Sequence, residues 1–226
     1  MSAVASSASR GLGEPVAASV LDLVPVVPVV VVEELAHAVP LARALAHGGV
    51  PVIELTLRTD VALEAVRAIA AAVPEMVVGA GTILSPSQAD EARDAGARFL
   101  VSPGATPRLL SGMADTGLPF LAGTSTVSEV LAVLETGVRE MKFFPAEASG
   151  GAAYLRSVGG PVPQARFCPT GGITPESAPR YLALPNVGCV GGTWLTPPDV
   201  VRAHDWAEVT RRAAATLDLG RPTPTI

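Results

Sequence analysis

The sequence predicts an α/β chain folded as a single (β/α)8 TIM barrel, and three observations carry that reading. The length of 226 residues suits one barrel, since such domains run to roughly 200–250 residues. Eight apolar, β-branched runs recur at intervals of about 19–27 residues with helix-like segments between them, the rhythm of repeated βα units. The runs are apolar throughout rather than alternating, which suits parallel strands covered on their outer face. An open doubly wound sheet is the structural alternative.

Residues 1–20 are rich in Ala and Ser and include Arg10 and Glu14 without an apolar segment. They read as a loose tail ending in a short helix rather than a targeting peptide. The barrel is assigned to 21–219 and a C-terminal tail to 220–226. Strands are expected at Pro25–Val32, Val52–Leu57, Met76–Gly79, Arg98–Val101, Pro119–Ala122, Val138–Phe143, Ala165–Cys168 and Val187–Val190. Helices are expected at Glu33–His47, Val61–Ala72, Pro86–Ala95, Pro107–Thr116, Val127–Glu135 and, last, Asp199–Asp218. Thr59-Asp60, Ser85-Pro86, Thr106-Pro107 and Thr174-Pro175 supply N-terminal signals, and Thr126 with Glu129 three residues on supplies a capping box. Gly48, Gly96, Gly117 and Gly137 supply stops.

Hydrophobic residues make up 49% of the chain and aromatics 4%, so the core must be built from Ala, Val, Leu and Ile. A net charge of −5 with no basic run argues against nucleic acid and anionic membranes as partners. The longest apolar stretch, Val24 to Val32, holds two prolines and is far too short to span a bilayer. Cys168 and Cys189 form no metal or disulfide pattern, so a reducing cytoplasm is the default.

Lys142 is the only lysine, against fifteen arginines. An arginine never sheds its proton to attack a carbonyl, whereas an amine can. Lys142 stands beside Phe143, Phe144 and Pro145 at the end of the sixth run, which makes it a candidate Schiff-base nucleophile. In a barrel the chemistry gathers at the C-terminal strand ends, and the unusual residues fall there. Period-2 geometry puts Val52, Glu54, Thr56 and Arg58 on one face of the second strand, which should be the interior because the helix-covered face needs the aliphatics. An interior Glu and Arg are expensive unless paired or used. Either they form a buried ion pair, or they serve as a general acid/base and an anion receptor; the amine on the same rim favours the second. The pairs Gly171-Gly172 and Gly191-Gly192, the latter followed by Thr193, close the last two strands and can turn backbone N–H groups toward a phosphate. His37, His47 and His204 fall on helices and are assigned to the outer surface. No His/Asp/Glu cluster has metal-ligand spacing.

From about Val24 to Arg212 the chain resembles the 2-keto-3-deoxy-6-phosphogluconate (KDPG) and 4-hydroxy-2-oxoglutarate aldolases, which are class I pyruvate aldolases. The motifs are Pro25-Val26-Val27-Pro28-Val29, Glu54-Leu55-Thr56-Leu57-Arg58-Thr59, Gly79-Ala80-Gly81-Thr82, Lys142-Phe143-Phe144-Pro145-Ala146-Glu147, Arg166-Phe167-Cys168-Pro169-Thr170-Gly171-Gly172 and Gly191-Gly192-Thr193-Trp194-Leu195. The resemblance implies a homotrimer of barrels acting on a small phosphorylated keto acid, with no metal and no cofactor. It implies Lys142 as Schiff-base lysine, Glu54 as acid/base and Arg58 as receptor for the pyruvate carboxylate. Thr82, Pro103, Phe144 and Thr170 would surround the pyruvyl group, and Gly171, Gly172, Gly192 and Thr193 would hold the phosphate. Two departures stand out: many relatives have serine where Thr193 stands, and Pro-Gly where this chain has Ala122-Gly123. The related 2-keto-3-deoxy-6-phosphogalactonate aldolases share the fold and lysine, but this chain resembles the gluconate type in its second and seventh strand motifs. A metal-dependent aldolase and a non-aldolase phosphosugar-binding barrel are the rival readings.

Overall fold

A computed structural model describes residues 19–220. Residues 1–18 of the expected 1–20 tail, and the last six residues, lie outside that range. Among the described residues, a 3₁₀ turn (Val20–Asp22) leads into eight strands: β1 (Val26–Val30), β2 (Val52–Thr56), β3 (Val77–Gly81), β4 (Phe99–Val101), β5 (Phe120–Thr124), β6 (Glu140–Phe143), β7 (Arg166–Pro169) and β8 (Val190–Gly192). The helices are α1 (Leu35–His47), α2 (Ala62–Ala72), α3 (Pro86–Asp94), α4 (Pro107–Asp115), α5 (Val127–Glu135), α6 (Gly151–Gly159), α7 (Ala178–Leu182), α8 (Pro198–Arg202) and α9 (Trp206–Thr216). The strands run in the order β7-β6-β5-β4-β3-β2-β1-β8, and every ladder is parallel. Two isolated parallel bridges, Phe167↔Val187 and Thr170↔Gly191, draw β7 to β8 and bring the ring nearly to closure. This is a (β/α)8 barrel rather than an open sheet.

The strands are buried almost end to end, because helices cover the outside and side chains fill the inside. Three helices start at their expected caps, while Thr174 is not the cap of α7, whose N-cap Ser177 makes no capping bond. Ser85 accepts from Gln88 N and Thr106 from Leu109 N, each ahead of a proline in the first turn. Thr126 and Glu129 form a reciprocal capping box. Thr59 does not cap: its Oγ1 donates to Val32 O instead, tying the β2 end to the end of β1. No described helix is long and apolar enough to cross a membrane.

Several boundaries differ from the sequence expectations, four of them in ways that bear on the site or the last helix. β3 and β5 extend through Gly81 and through Gly123-Thr124, where glycine propensity argues for loop; close packing onto these glycines keeps the ladder going. β8 starts three residues later than expected, at Val190. The last helix is split, with His204 at φ +55° and Asp205 re-capping the chain through Glu208 N. The histidine assignment fails for one residue: His37 is only 5% exposed, its Nε2 lying 2.8 Å from Nε2 of His204 with the Trp206 ring packed against both imidazoles. His47 and His204 are exposed as expected.

Candidate active site at the C-terminal strand ends

Residues paired across a parallel ladder point to the same side. Val29 pairs with Glu54 and Glu54 with Gly79; on the far side Gly123 pairs with Lys142 and Lys142 with Cys168. Glu54 on β2 and Lys142 on β6 thus enter the barrel from opposite walls. They meet with Lys142 Nζ donating to Glu54 Oε1 at 3.0 Å, and the residues are 5% and 2% exposed. The Phe144 ring centroid lies 5.3 Å from the ammonium nitrogen, which caps the pair with a polarisable face. Two buried threonines pin the strands beneath: Thr124 Oγ1 donates to Lys142 O at 3.2 Å and Thr56 Oγ1 to Val30 O at 3.0 Å.

The arginine is not the carboxylate's partner. β2 ends at Thr56, so the period-2 alternation stops short of Arg58. Arg58 is exposed at the rim, with Nε donating to Thr82 Oγ1 at 3.2 Å. Thr82 takes a left-handed backbone (φ +62°), a strained conformation for a β-branched residue of the kind that gathers at functional sites. Pro103 lies over Gly123: a Cβ there would come within 2.2 Å of the Pro103 carbonyl carbon. The β4–β5 side of the mouth therefore rests directly beside the lysine's ladder partner.

The loop after Lys142 is strapped to the loop after β7. Ala146 N donates to Thr170 O at 2.8 Å and Glu147 N to Gly171 O at 3.1 Å. Glu147 also accepts from the Tyr181 hydroxyl at 2.6 Å and from Arg180. The Tyr181 hydroxyl, and after it Arg180, holds the Glu147 carboxyl below the usual carboxylate range. Burial, reinforced by Glu147, pushes the Tyr181 phenol up to about 12. Thr170 is buried with Gly191 packed on its side chain. Gly171 (φ +106°) and Gly172 (φ +78°) are consecutive left-handed residues, a backbone concavity of the kind that receives anions. Thr193 is exposed beyond β8 and lines a cavity of about 490 Å³ with Trp194, Val29 and Val201, while Gly192 leaves room for the Trp194 ring.

Lys142, Glu54, Phe144, Pro103 and Thr170 are thus brought to one mouth, with Arg58 and Thr82 as a linked pair on its β2–β3 rim and the Gly171-Gly172 turn on its β7 rim. Gly191 and Gly192, expected to turn, lie instead within β8, paired with Val27 and Pro28. Among the described residues no group of three or more His, Cys, Asp or Glu is arranged to hold a metal ion. An apolar-walled amine against a carboxylate suits imine formation with a keto acid. Sequence reasoning missed the spatial parts: Gly81 and Gly123, which make room beside Glu54 and Lys142, and Glu147, which anchors the lysine's loop. The one available signal was glycine just past the ends of two apolar strand runs.

The chain is similar to known proteins in sequence and in fold. The chain is 50% identical over 202 residues to a KHG/KDPG aldolase of Escherichia coli, covering 89% of this chain and 95% of that one. A KDPG aldolase from Legionella pneumophila, solved with pyruvate captured at low pH as a covalent carbinolamine intermediate, superposes with a TM-score of 0.86 at 42% identity over 88% of this chain and 96% of the other. A native KDPGal structure shares the fold alone, with a TM-score of 0.77 at 22% identity over 86% and 93% of the two chains. The sequence profile described as KDPG and KHG aldolase matches residues 17–212. By fold and sequence together, the chain belongs to the KDPG and KHG aldolase family.

Proposed function

We propose that this protein is a class I aldolase that cleaves 2-dehydro-3-deoxy-6-phospho-D-gluconate to pyruvate and D-glyceraldehyde 3-phosphate. The observation that carries the reading is the buried 3.0 Å contact between Lys142 and Glu54, which puts the only amine side chain of the chain beside a carboxylate able to take and return its proton.

With its proton passed on, Lys142 Nζ attacks C2 of the keto acid, and loss of water from the carbinolamine leaves a protonated imine. That cation draws electrons from the C3–C4 bond. Glu54, through a water, accepts the proton of the C4 hydroxyl as the bond breaks and the aldehyde leaves. The enamine is reprotonated at C3, and hydrolysis releases pyruvate and restores Lys142. Arg58 receives the pyruvate carboxylate, oriented by Thr82. Pro103, Phe144 and Thr170 wall the pyruvyl group, and the backbone of Gly171, Gly172 and Gly192 with the Thr193 hydroxyl holds the phosphate. No metal or cofactor enters these steps.

The far higher identity to the KHG/KDPG aldolase than to the KDPGal protein favours the gluconate substrate. Cleavage of 4-hydroxy-2-oxoglutarate needs the same imine and acid/base but no phosphate contact, and is a second activity of the same site. The enzyme is proposed to work as a homotrimer in the cytoplasm.

Reduction with borohydride in the presence of pyruvate, followed by peptide mass mapping, tests the reading. Modification is expected at Lys142 and nowhere else. Absence of labelling in the wild type, or labelling that survives Lys142→Arg, would overturn it.

A further inference from the structure

Gly81 lies at the end of β3, inside the ladder, opposite Thr56. Its backbone is not among the left-handed glycines, so any residue could adopt its conformation. What excludes a side chain is space. A Cβ at this position would stand 2.4 Å from Glu54 Oε1, 2.7 Å from Glu54 Cγ and 2.9 Å from Glu54 Cδ. The strand cannot retreat to make room: Leu57 N donates to Gly81 O at 2.8 Å on one side. On the other side Ile83 N, two residues on, donates to Val101 O at 3.1 Å. The part free to move is the far end of the Glu54 side chain, the end that contacts Lys142.

From this we infer that Gly81 is a positioning residue for the acid/base step, acting by leaving vacant the volume that the Glu54 carboxylate needs to reach Lys142. The inference rests on the aldolase reading above. A methyl group at Gly81 turns the carboxylate away from Nζ and out of line with the C4 hydroxyl, while the Gly171-Gly172 turn after β7, which lies elsewhere on the mouth, stays in place. The neighbouring Gly79 differs in kind: a Cβ there would meet the Phe99 ring, a core contact.

The test is a double-mutant cycle on the cleavage reaction. Gly81→Ala in the wild type is expected to lower kcat about 10²-fold, the lower end of what acid/base help supplies, with KM changed less than about threefold. In a Glu54→Gln background the same substitution is expected to cost less than about threefold, because the group it displaces no longer carries the proton. Equal losses in both backgrounds, or a Gly81→Ala enzyme within about threefold of wild type, would overturn the inference. If Gly81→Ala alone does not fold, the triple variant Gly81→Ala/Glu54→Ala/Lys142→Met, which removes both the collision and the charge left without its partner, is expected to fold; failure of both means the backbone itself needs glycine and the inference is wrong. Wild-type enzyme without cleavage activity or borohydride trapping would instead sink the aldolase reading, so the two failures are distinct.

Discussion

Replacing Lys142 by methionine keeps the length and much of the volume of the side chain but removes its charge. The amine and carboxylate are 3.0 Å apart, with side chains 6% and 3% exposed. At an effective dielectric of about 20 their attraction is roughly 5 kcal/mol, and it is opposed by desolvation of several kcal/mol per ion. The net worth of the pair is therefore small, yet removing one member leaves the other charge buried with its cost unopposed. Lys142→Met is expected to destabilise the fold by about 3–5 kcal/mol, which for a chain of this size lowers Tm by roughly 6–20 °C. The double variant Lys142→Met/Glu54→Gln removes both charges and is expected to recover most of that loss. Urea unfolding monitored by circular dichroism, with unchanged m-values, reads both numbers. A single variant within about 1 kcal/mol of wild type, or losses that simply add in the double variant, would refute the claim that these two groups form a desolvated pair.

Three further outcomes are expected, one at the ion pair and two at the α5 cap. Glu54→Gln keeps the shape of the site but cannot accept a proton, so kcat is expected to fall about 10²–10⁴-fold with pyruvate affinity nearly unchanged, as steady-state kinetics beside pyruvate titration will read; equal losses in both would point to a binding role. At the start of α5, Thr126→Ala removes the acceptor for Glu129 N and is expected to cost about 1 kcal/mol in urea unfolding. The Ser125 N–H lowers the Glu129 carboxyl below its ordinary value. Its contribution is therefore present above the unfolded carboxylate pKa of about 4.3 and lost as pH falls through the lower folded value. Glu129→Gln should flatten that part of the acid-stability profile, and an unaltered profile would count against the cap.

Much of the site was legible because the chemistry is concentrated in scarce residues. One lysine among fifteen arginines marks itself, and Glu54 flanked by aliphatics on a strand can only face inward. What misled was the extension of period-2 logic past the strand end. Arg58 follows Glu54 at the right spacing, but β2 stops at Thr56, so Arg58 turns to the rim and bonds Thr82 while the lysine takes the carboxylate. The same weakness of local rules split the last helix at His204 and hid Gly81 and Gly123 within strands, where propensity alone argues for loops.

By itself the sequence determined the repeat of eight βα units, the caps that start α3, α4 and α5 and the candidate nucleophile. These depend on residues near one another in the chain, where periodicity and hydrogen-bond chemistry act directly. Only the tertiary structure decided that Glu54 pairs with Lys142 across 88 positions of sequence, that His37 is buried against His204 and Trp206, and that glycine beside Glu54 is a matter of volume rather than of backbone conformation. Barrel closure brings opposite walls within a hydrogen bond of each other, and no local pattern encodes which side chains meet in the middle.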